Sequence, residues 1–317
     1  MFKNLHEMIT KLPDEKSCRE YLAAQRWPDG VPVCPYCGNK GAYNIEGGKR
    51  YKCKSSACYK KFSVTVGTIF EASNIPLTKW FLGIYICSAH KKGISSYQLG
   101  RDLGIAQKNA WFMLHRIREV LKEDNPPLLM GAVEADETYM SRKYASDYVG
   151  LPQDEIDYNL KNQVKSKGAV LGLAERDTKT VRVKVFDENT AENIRPEVIK
   201  NVKAGSYLFT DDSNLYKNED IQLFYKNETV THSKREWVRY SPGIPAIHTN
   251  TVENFWSVMK RGVYGIYHQV SFKHLQAYCN EFSYRYNSRK IKDGERFDIV
   301  LTKVEGRLTY KRLIGKE

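Results

Sequence analysis

Three acidic residues in the C-terminal half of the chain, Asp136, Asp211 and Glu253, have the types and placement for phosphoryl chemistry. Asp136 closes a strand-like run in VEADETY and Asp211 closes another in YLFTDDSNLY; α/β sheets place their chemistry at strand ends. Glu253 lies in HTNTVENFWSVMKRGVYG, where Val252, Phe255, Met259 and Val263 form one apolar helical stripe. Asn250, Glu253, Ser257 and Lys260 then share the other face. Phosphoryl transfer needs hard oxygen ligands for Mg²⁺ or Mn²⁺, and two ions roughly 3.5–4 Å apart can stabilise both the attacking and the leaving oxygen. A carboxylate and a lysine two turns apart are placed to hold a metal and a phosphate respectively. Taken singly, each acid has a plainer reading. Asp211 or Asp212 caps the following helix, Glu134 or Glu137 is solvated, and Glu253 pairs with a surface cation.

A second constellation is made of sulfur. In CPYCGNKGAYNIEGGKRYKCKSSACYKKFSV, Cys34 and Cys37 stand two residues apart, Cys53 and Cys58 four apart, with fifteen residues between the pairs. Four thiolates at this spacing suit a tetrahedral, structural Zn²⁺ that leaves no open position for water. Tyr51 to Cys53 and Phe62 to Val64 read as the strands of a zinc ribbon, surrounded by Lys49, Arg50, Lys52, Lys54, Lys60 and Lys61. The remaining thiols, Cys18, Cys87 and Cys279, have no partner by spacing and read as small buried hydrophobes.

The elements that must position these groups follow from patterning. Lys+Arg number 50 against Asp+Glu 37 in 317 residues, a net charge of +13, while 41% hydrophobic content keeps the chain globular. That balance favours a polyanionic partner. No apolar run in the first thirty residues resembles a signal peptide, and Trp80 to Cys87 is far short of the ~20 residues of a spanning helix, so it reads as a buried helix. A helical lead covers about 14–26, and EDNPP near 124–127 closes the helical first half. Beyond it, GAVEADETYM, GAVLGLAERD and TVRVKVFD read as consecutive strands, TAENIRPEVIKNV as a helix despite Pro196, and GSYLFTDD as a short buried strand. These assemble most economically as a mixed α/β sheet. The polar stretch 141–167 shows no periodicity and reads as a long, mobile loop.

Between the ribbon and the sheet, ISSYQLGRDLGIAQKNAWFMLHRIREVL gives two amphipathic helices broken at Gly104, the grammar of a helix-turn-helix. Leu99, Leu103 and Ile105 are expected to pack on Ala110, Leu114 and Ile117, leaving Lys108, His115 and Arg116 to face a DNA groove. Ordinary helical packing gives the same pattern. Segments 232–239 and 285–292, interleaved with Trp237, Tyr284 and Tyr286, either track a phosphate backbone or form solvated surface.

Taken together, CPYCG with YKCKSSACYKKFSVTVGTIFE, VEADETY, TDDSNLY and HTNTVENFWSVMKRGVYGIYHQVSFKHLQAYCNEFSYRYNSR resemble the DDE insertion-sequence transposases with an N-terminal zinc ribbon, bacterial relatives of the Merlin transposons. The resemblance spans nearly the whole chain. It implies an RNase H-like mixed-sheet catalytic domain at 128–305, preceded by a helical lead at 1–30, a zinc ribbon at 31–72 and a helix-turn-helix region at 73–124. It implies Asp136 and Asp211 as the two aspartates, Glu253 as the third acid, and Lys260 as the basic residue of the extended motif. Asp212 competes with Asp211, and Asn250, one helical turn upstream, with Glu253. The expected function is metal-dependent cleavage and transfer of DNA strands at the ends of an insertion sequence, with Mg²⁺ or Mn²⁺ in a two-metal site and structural Zn²⁺. Lys260 and His248 are expected on phosphate oxygens, with His248 and Asn250 joining Lys108, His115 and Arg116 as candidate DNA contacts. Trp256 either seals its helix against the sheet or stacks on a base. Expected partners are terminal inverted repeats, target DNA and a second copy of the chain, with a cytoplasmic, nucleoid-associated location. The rival readings are a DNA-binding regulator with an inert α/β domain, and a nuclease that cuts without joining.

Overall fold

The computed structural model describes residues 2–123, 125–144, 150–162 and 167–316. The chain divides into two compact units, Met1–Lys122 together with Ser288–Glu317, and Glu123–Asn287. In the first unit α1 (Leu5–Lys11) precedes α2 (Glu15–Arg26). The latter starts at a reciprocal cap, in which Asp14 accepts from the Ser17 backbone N–H at 2.8 Å and Ser17 Oγ accepts from Asp14 N–H at 3.3 Å. An antiparallel ribbon follows, β1 (Ala42–Ile45), β2 (Arg50–Cys53) and β3 (Lys61–Phe62) in that order across the sheet. Tyr51 stacks on Phe62 with ring centroids 5.7 Å apart, and Trp27 meets Tyr51 edge-on at 5.0 Å, so a small aromatic cluster backs the ribbon.

Helix α3 (Leu77–Ala89) is buried over most of its length, which is why its sequence is apolar without periodicity. Helices α4 (Ser96–Leu103) and α5 (Gln107–Leu121) are separated by Gly104, whose left-handed φ of 58° turns the chain where a side chain would be strained. Leu99, Leu103, Ala110, Leu114 and Ile117 are buried, as the helix-turn-helix pattern requires, and Ile105 is half-buried.

The second unit is built on a five-stranded sheet. Its elements in chain order are β4 (Ala132–Arg142), α6 (Gln153–Lys161), β5 (Lys167–Glu175), β6 (Thr180–Phe186), α7 (Ala191–Asn201), β7 (Tyr207–Asp211), α8 (Glu219–Phe224), β8 (Lys226–Val230), β9 (Arg239–Ser241), β10 (Ile244–Ile247), α9 (Asn250–Gly262) and α10 (Leu275–Asn287). The strand order is β6-β5-β4-β7-β8, with β4, β5 and β6 antiparallel and β7 and β8 parallel to β4. On one face Val133, Ala135, Leu171, Leu173 and Leu208 pack on Ile194 and Val198 of α7 and Ile221 of α8. On the other, Met140, Val170 and Ala174 pack on Val252, Phe255, Trp256 and Met259 of α9 and on Leu275, Tyr278 and Phe282 of α10. A mixed α/β sheet is therefore what the chain forms.

Two sequence expectations shift. Within the stretch read as a loop, residues 145–149 and 163–166 lie outside the described ones, but Gln153–Lys161 is helical, with Asp154 and Glu155 in its first turn and Lys161 in its last, the favourable sense for the helix dipole. The unit built on the sheet also closes at Asn287, where the sequence reading carried it to 305, because α11 (Asp293–Thr302) and α12 (Tyr310–Leu313) return to the first unit. Phe297 of α11 is fully buried against Phe81 and Tyr85 of α3 at 5.5 and 6.0 Å, and the Tyr21 hydroxyl donates to Asp298 at 2.5 Å.

Candidate functional site

Residues two apart on a strand face the same way. On central strand β4 this sends Val133, Ala135 and Glu137 towards α7, and Glu134, Asp136, Thr138 and Met140 towards α9. Asp136 Oδ2 accepts a hydrogen bond from Trp256 Nε1 of α9 at 2.9 Å. The residue paired with Asp136 across the sheet is Gly172, and a Cβ there would lie 2.5 Å from Trp256 Cζ2. Glycine thus makes the space in which the indole reaches the carboxylate. Trp256 is buried, so it seals helix against sheet. Burial pushes the Asp136 carboxyl up to about 6, and the charges of Asp211 and Glu253 push it the same way.

Asp211, at the end of β7, accepts from the Ser213 N–H at 3.1 Å, and burial raises its carboxyl above the ordinary value. Its neighbour Asp212 points to solvent and pairs with Lys217 at 2.6 Å, which holds it below the ordinary value. Glu253, in the first turn of α9, accepts from Thr249 Oγ1 at 2.7 Å and faces His232 Nε2 at 3.3 Å. His232 is also 3.3 Å from Thr249 Oγ1, and its ring leans on Trp237 at 5.1 Å. Asp136, Asp211 and Glu253 are therefore near enough for Asp136 to be raised by the charge of the other two. Among the described residues, the four thiols below are the one cluster of His, Cys, Asp or Glu side chains gathered closely enough to hold a metal ion, with donor atoms all within 4.8 Å of one another.

Glu134 and Glu137 are not solvated. Glu134 is fully buried, bonded to Arg176 at 2.6 Å and to the N–H groups of Thr251 and Val252 at 2.7 and 2.9 Å. Glu137 accepts from the Tyr216 hydroxyl, and burial, followed by the charges of Asp136 and Asp211, pushes it up to about 8. His248 Nδ1 lies 3.1 Å from Glu134. The same nitrogen accepts from the Asn250 N–H at 3.3 Å, and burial, followed by the Arg176 charge, lowers the basicity of the ring. Asn250 is exposed at the start of α9, and Lys260 is half-buried two turns beyond Glu253. From sequence Glu134 read as solvated and His232 only as the start of the basic segment 232–239, so neither was placed at the site. The period-2 spacing of Glu134 from Asp136 was a signal for the first; nothing local singles out the second.

Sγ of Cys34 and Cys58 are 3.8 Å apart, and those of Cys37 and Cys53 are 3.6 Å apart. Tetrahedral zinc with Zn–S near 2.3 Å has sulfur–sulfur edges of about 3.8 Å, so the cluster has the size of a zinc site. The Ser55 N–H points at Cys53 Sγ at 3.4 Å, the amide-to-sulfur contact that stabilises a thiolate. Three lysines around the ribbon lie over exposed tyrosines: Lys52 over Tyr59, Lys54 over Tyr43 and Lys60 over Tyr36, at 5.2, 5.2 and 5.1 Å. Cys18, Cys87 and Cys279 are buried.

On α5 only Lys108 keeps the exposure expected of a groove contact, with its ammonium over Tyr310 at 4.7 Å. His115 and Arg116 are buried at 2% and 4% exposure. Arg116 donates to the carbonyls of Leu308, Ile69 and Glu71 at 3.1, 2.8 and 2.9 Å, so it is spent on the chain's own backbone and not offered to DNA. In segment 285–292, Arg285 is likewise buried in an ion pair with Glu281.

Residues 128–287, half of the chain, match the ISXO2-like transposase domain, and residues 13–61 match the transposase zinc-ribbon domain. The protein is therefore a transposase, of the general class of DDE-type nucleases and strand transferases. Within that class it belongs to the ISXO2-like family, with an RNase H-like catalytic unit and a DNA-binding, zinc-ribbon N-terminal part. It is 27% identical over 289 residues to an uncharacterized protein in transposable element ISH50 of Halobacterium salinarum, covering 87% of this chain and 92% of that one. A cryo-EM structure of the simian T-cell lymphotropic virus intasome in complex with PP2A regulatory subunit B56 gamma matches 58% of this chain and 63% of that one at 12% identity and a TM-score of 0.28, too slight a likeness to argue from. No helix among the described residues is long and apolar enough to cross a membrane.

Proposed function

We propose that Asp136, Asp211 and Glu253 are the metal-holding carboxylates of this transposase, and that it cuts DNA at the ends of its own element and joins the freed 3′ end to target DNA. The observation that carries the reading is Asp136, a half-buried carboxyl in the central strand that Trp256 holds by one oxygen and that lies near enough to Asp211 and Glu253 for their charges to oppose its ionisation. Groups that repel one another in this way are relieved by a divalent cation. Their donors are all hard carboxylate oxygens, the set that suits Mg²⁺ or Mn²⁺. Three carboxylates are also enough to share two ions roughly 3.5–4 Å apart. Bound there, the cations would supply Lewis acidity to the attacking and leaving oxygens at phosphorus.

The chain's own residues do the rest. Trp256 aims the Asp136 carboxylate, Thr249 and His232 aim Glu253, and Lys260, about 10.5 Å along α9 from Glu253 by helical rise, offers a cation to a neighbouring phosphate. Asp212, paired with Lys217 in solvent, and Asn250, exposed at the helix start, stay outside the ligand set. Lys108 and the lysines of the ribbon contact the phosphate backbone of the terminal repeats. The zinc held by Cys34, Cys37, Cys53 and Cys58 is structural. Because two DNA ends must be joined, the working form is at least a dimer on DNA, acting on the nucleoid in the cytoplasm.

The test is nicking and strand transfer on a plasmid carrying the element's terminal repeats, with Mg²⁺ present or chelated. Asp136→Asn, Asp211→Asn and Glu253→Gln are expected to lose both steps, while Asp212→Asn and Asn250→Ala retain them. DNA binding without nicking in the wild type would leave only a regulator, and nicking without joining would leave only a nuclease.

A further inference from the structure

Helix α9 is capped from outside itself. A helix leaves its first N–H groups without partners, and the residue before it usually supplies a side-chain oxygen. Thr249 stands at that position, yet its side chain makes no cap. Its hydroxyl donates instead to Glu253 Oε1 at 2.7 Å. The cap comes from β4, where Oε2 of Glu134 accepts from the N–H groups of Thr251 and Val252 at 2.7 and 2.9 Å. A carboxylate at a helix N-terminus is favoured by the helix dipole as well as by these two bonds.

Glu134 is in turn locked. Its Oε1 accepts from Arg176 Nε at 2.6 Å and lies 3.1 Å from His248 Nδ1. Arg176 donates onward to the carbonyls of Ala246 and, at 2.6 Å, His248, the chain leading into α9, and its guanidinium lies over Phe209 at 4.2 Å. A buried carboxylate and guanidinium are tolerated when their donors and acceptors are matched in this way, and removing one partner strands the other. The network joins β4, the strand of Asp136, to the first turn of the helix that carries Glu253.

We infer that Glu134 and Arg176 are positioning residues for Glu253: by capping α9 from the sheet they free the Thr249 hydroxyl to orient the Glu253 carboxylate and fix its place relative to Asp136. This rests on the proposal that the acidic trio holds divalent cations. Groups that orient ligands in this manner typically change metal affinity or activity by about 10- to 100-fold when altered.

The test is Mn²⁺ binding to the full chain, read from the electron paramagnetic resonance of free Mn²⁺, for wild type, Glu134→Gln, Thr249→Val, Thr249→Ser and Glu253→Gln. Glu134→Gln is expected to weaken Mn²⁺ by about 10- to 100-fold, with nicking partly recovered at high Mn²⁺, which a merely structural defect does not give. Thr249→Val, which leaves the Glu134 cap in place, is expected to show a loss of the same order, and Thr249→Ser to restore most of it. Should Glu134→Gln not fold, the two Thr249 variants carry the test. Wild-type affinity in both Glu134→Gln and Thr249→Val, with binding lost in Glu253→Gln, overturns the positioning role alone. Wild-type affinity in Glu253→Gln overturns the metal-site reading and this inference with it.

Discussion

Gly172→Ala tests whether the space between sheet and helix sets the geometry of Asp136. The added Cβ would sit 2.5 and 2.8 Å from Cζ2 and Cη2 of Trp256 and 2.8 Å from Cγ2 of Val252. Ordinary carbon–carbon contact begins near 3.5 Å, so helix and indole must retreat by about 1 Å. Both neighbours belong to the packed core of α9, so neither is a flexible tip that swings aside. Overpacking of this kind costs about 1–3 kcal/mol, which lowers the unfolding midpoint by roughly 4–8 °C for a 2 kcal/mol loss in a unit of this size. The same retreat stretches the 2.9 Å bond from Trp256 Nε1 to Asp136, and a 1 Å displacement of a reacting group slows catalysis by about 100-fold. Calorimetry and the rate of strand nicking at saturating Mg²⁺ measure the two effects. The clash is with the outer ring of the indole, so Trp256→Phe in the Gly172→Ala background should restore stability above the sum of the single changes. Additive losses, or a Gly172→Ala protein with wild-type midpoint and rate, would refute the reasoning.

The remaining predictions concern charge, zinc and the helical face. Asp136 has a higher pKa folded, about 6, than its ordinary value of 3.8, so the metal-free fold is favoured below pH 4 and loses about 3 kcal/mol as pH rises through 6. Asp136→Asn should therefore be more stable than wild type at pH 7–8 without divalent cations, with the difference vanishing near pH 4 and strand nicking abolished; equal unfolding midpoints at pH 7.5 would contradict this. Elemental analysis should find about one zinc per chain in wild type and none in Cys53→Ser, whose 31–62 region should open to proteolysis; full zinc retention would remove Cys53 from the ligand set. Arg116→Ala removes the donor to three carbonyls, two of them buried, and should cost about 2–4 kcal/mol. Lys108→Ala should leave stability unchanged and lower the salt dependence of DNA binding by about one phosphate contact; reversed phenotypes would place Arg116 rather than Lys108 on the DNA.

The strands, their alternation and the apolar stripe of α9 were legible because they are local. Period 2 in VEADETYM puts Glu134 and Asp136 on one face, and Val252, Phe255, Met259 and Val263 are all buried as the helical spacing requires. The cysteine spacing was legible for the same reason, since two short loops bring each pair together whatever the rest of the chain does. His115 and Arg116 defeated sequence reading because their burial is tertiary: one carbonyl that Arg116 serves, that of Leu308, is 192 residues away. The end of the sheet-bearing unit was misplaced for a similar reason, since α11 continues the helical run after α10 and only its partners, Phe81 and Tyr85, assign it to the other. Glu134 shows the limit most clearly. A glutamate in a strand is polar by composition and reads as solvated; only the arrival of a helix N-terminus and a guanidinium 117 and 42 residues away makes a buried carboxylate stable. Residue type and local periodicity thus determined which elements form and which groups carry chemistry. Which of those groups face one another, and which are sealed inside, depended on long-range packing, because burial and hydrogen-bond satisfaction belong to the assembled surface and not to any segment of the chain.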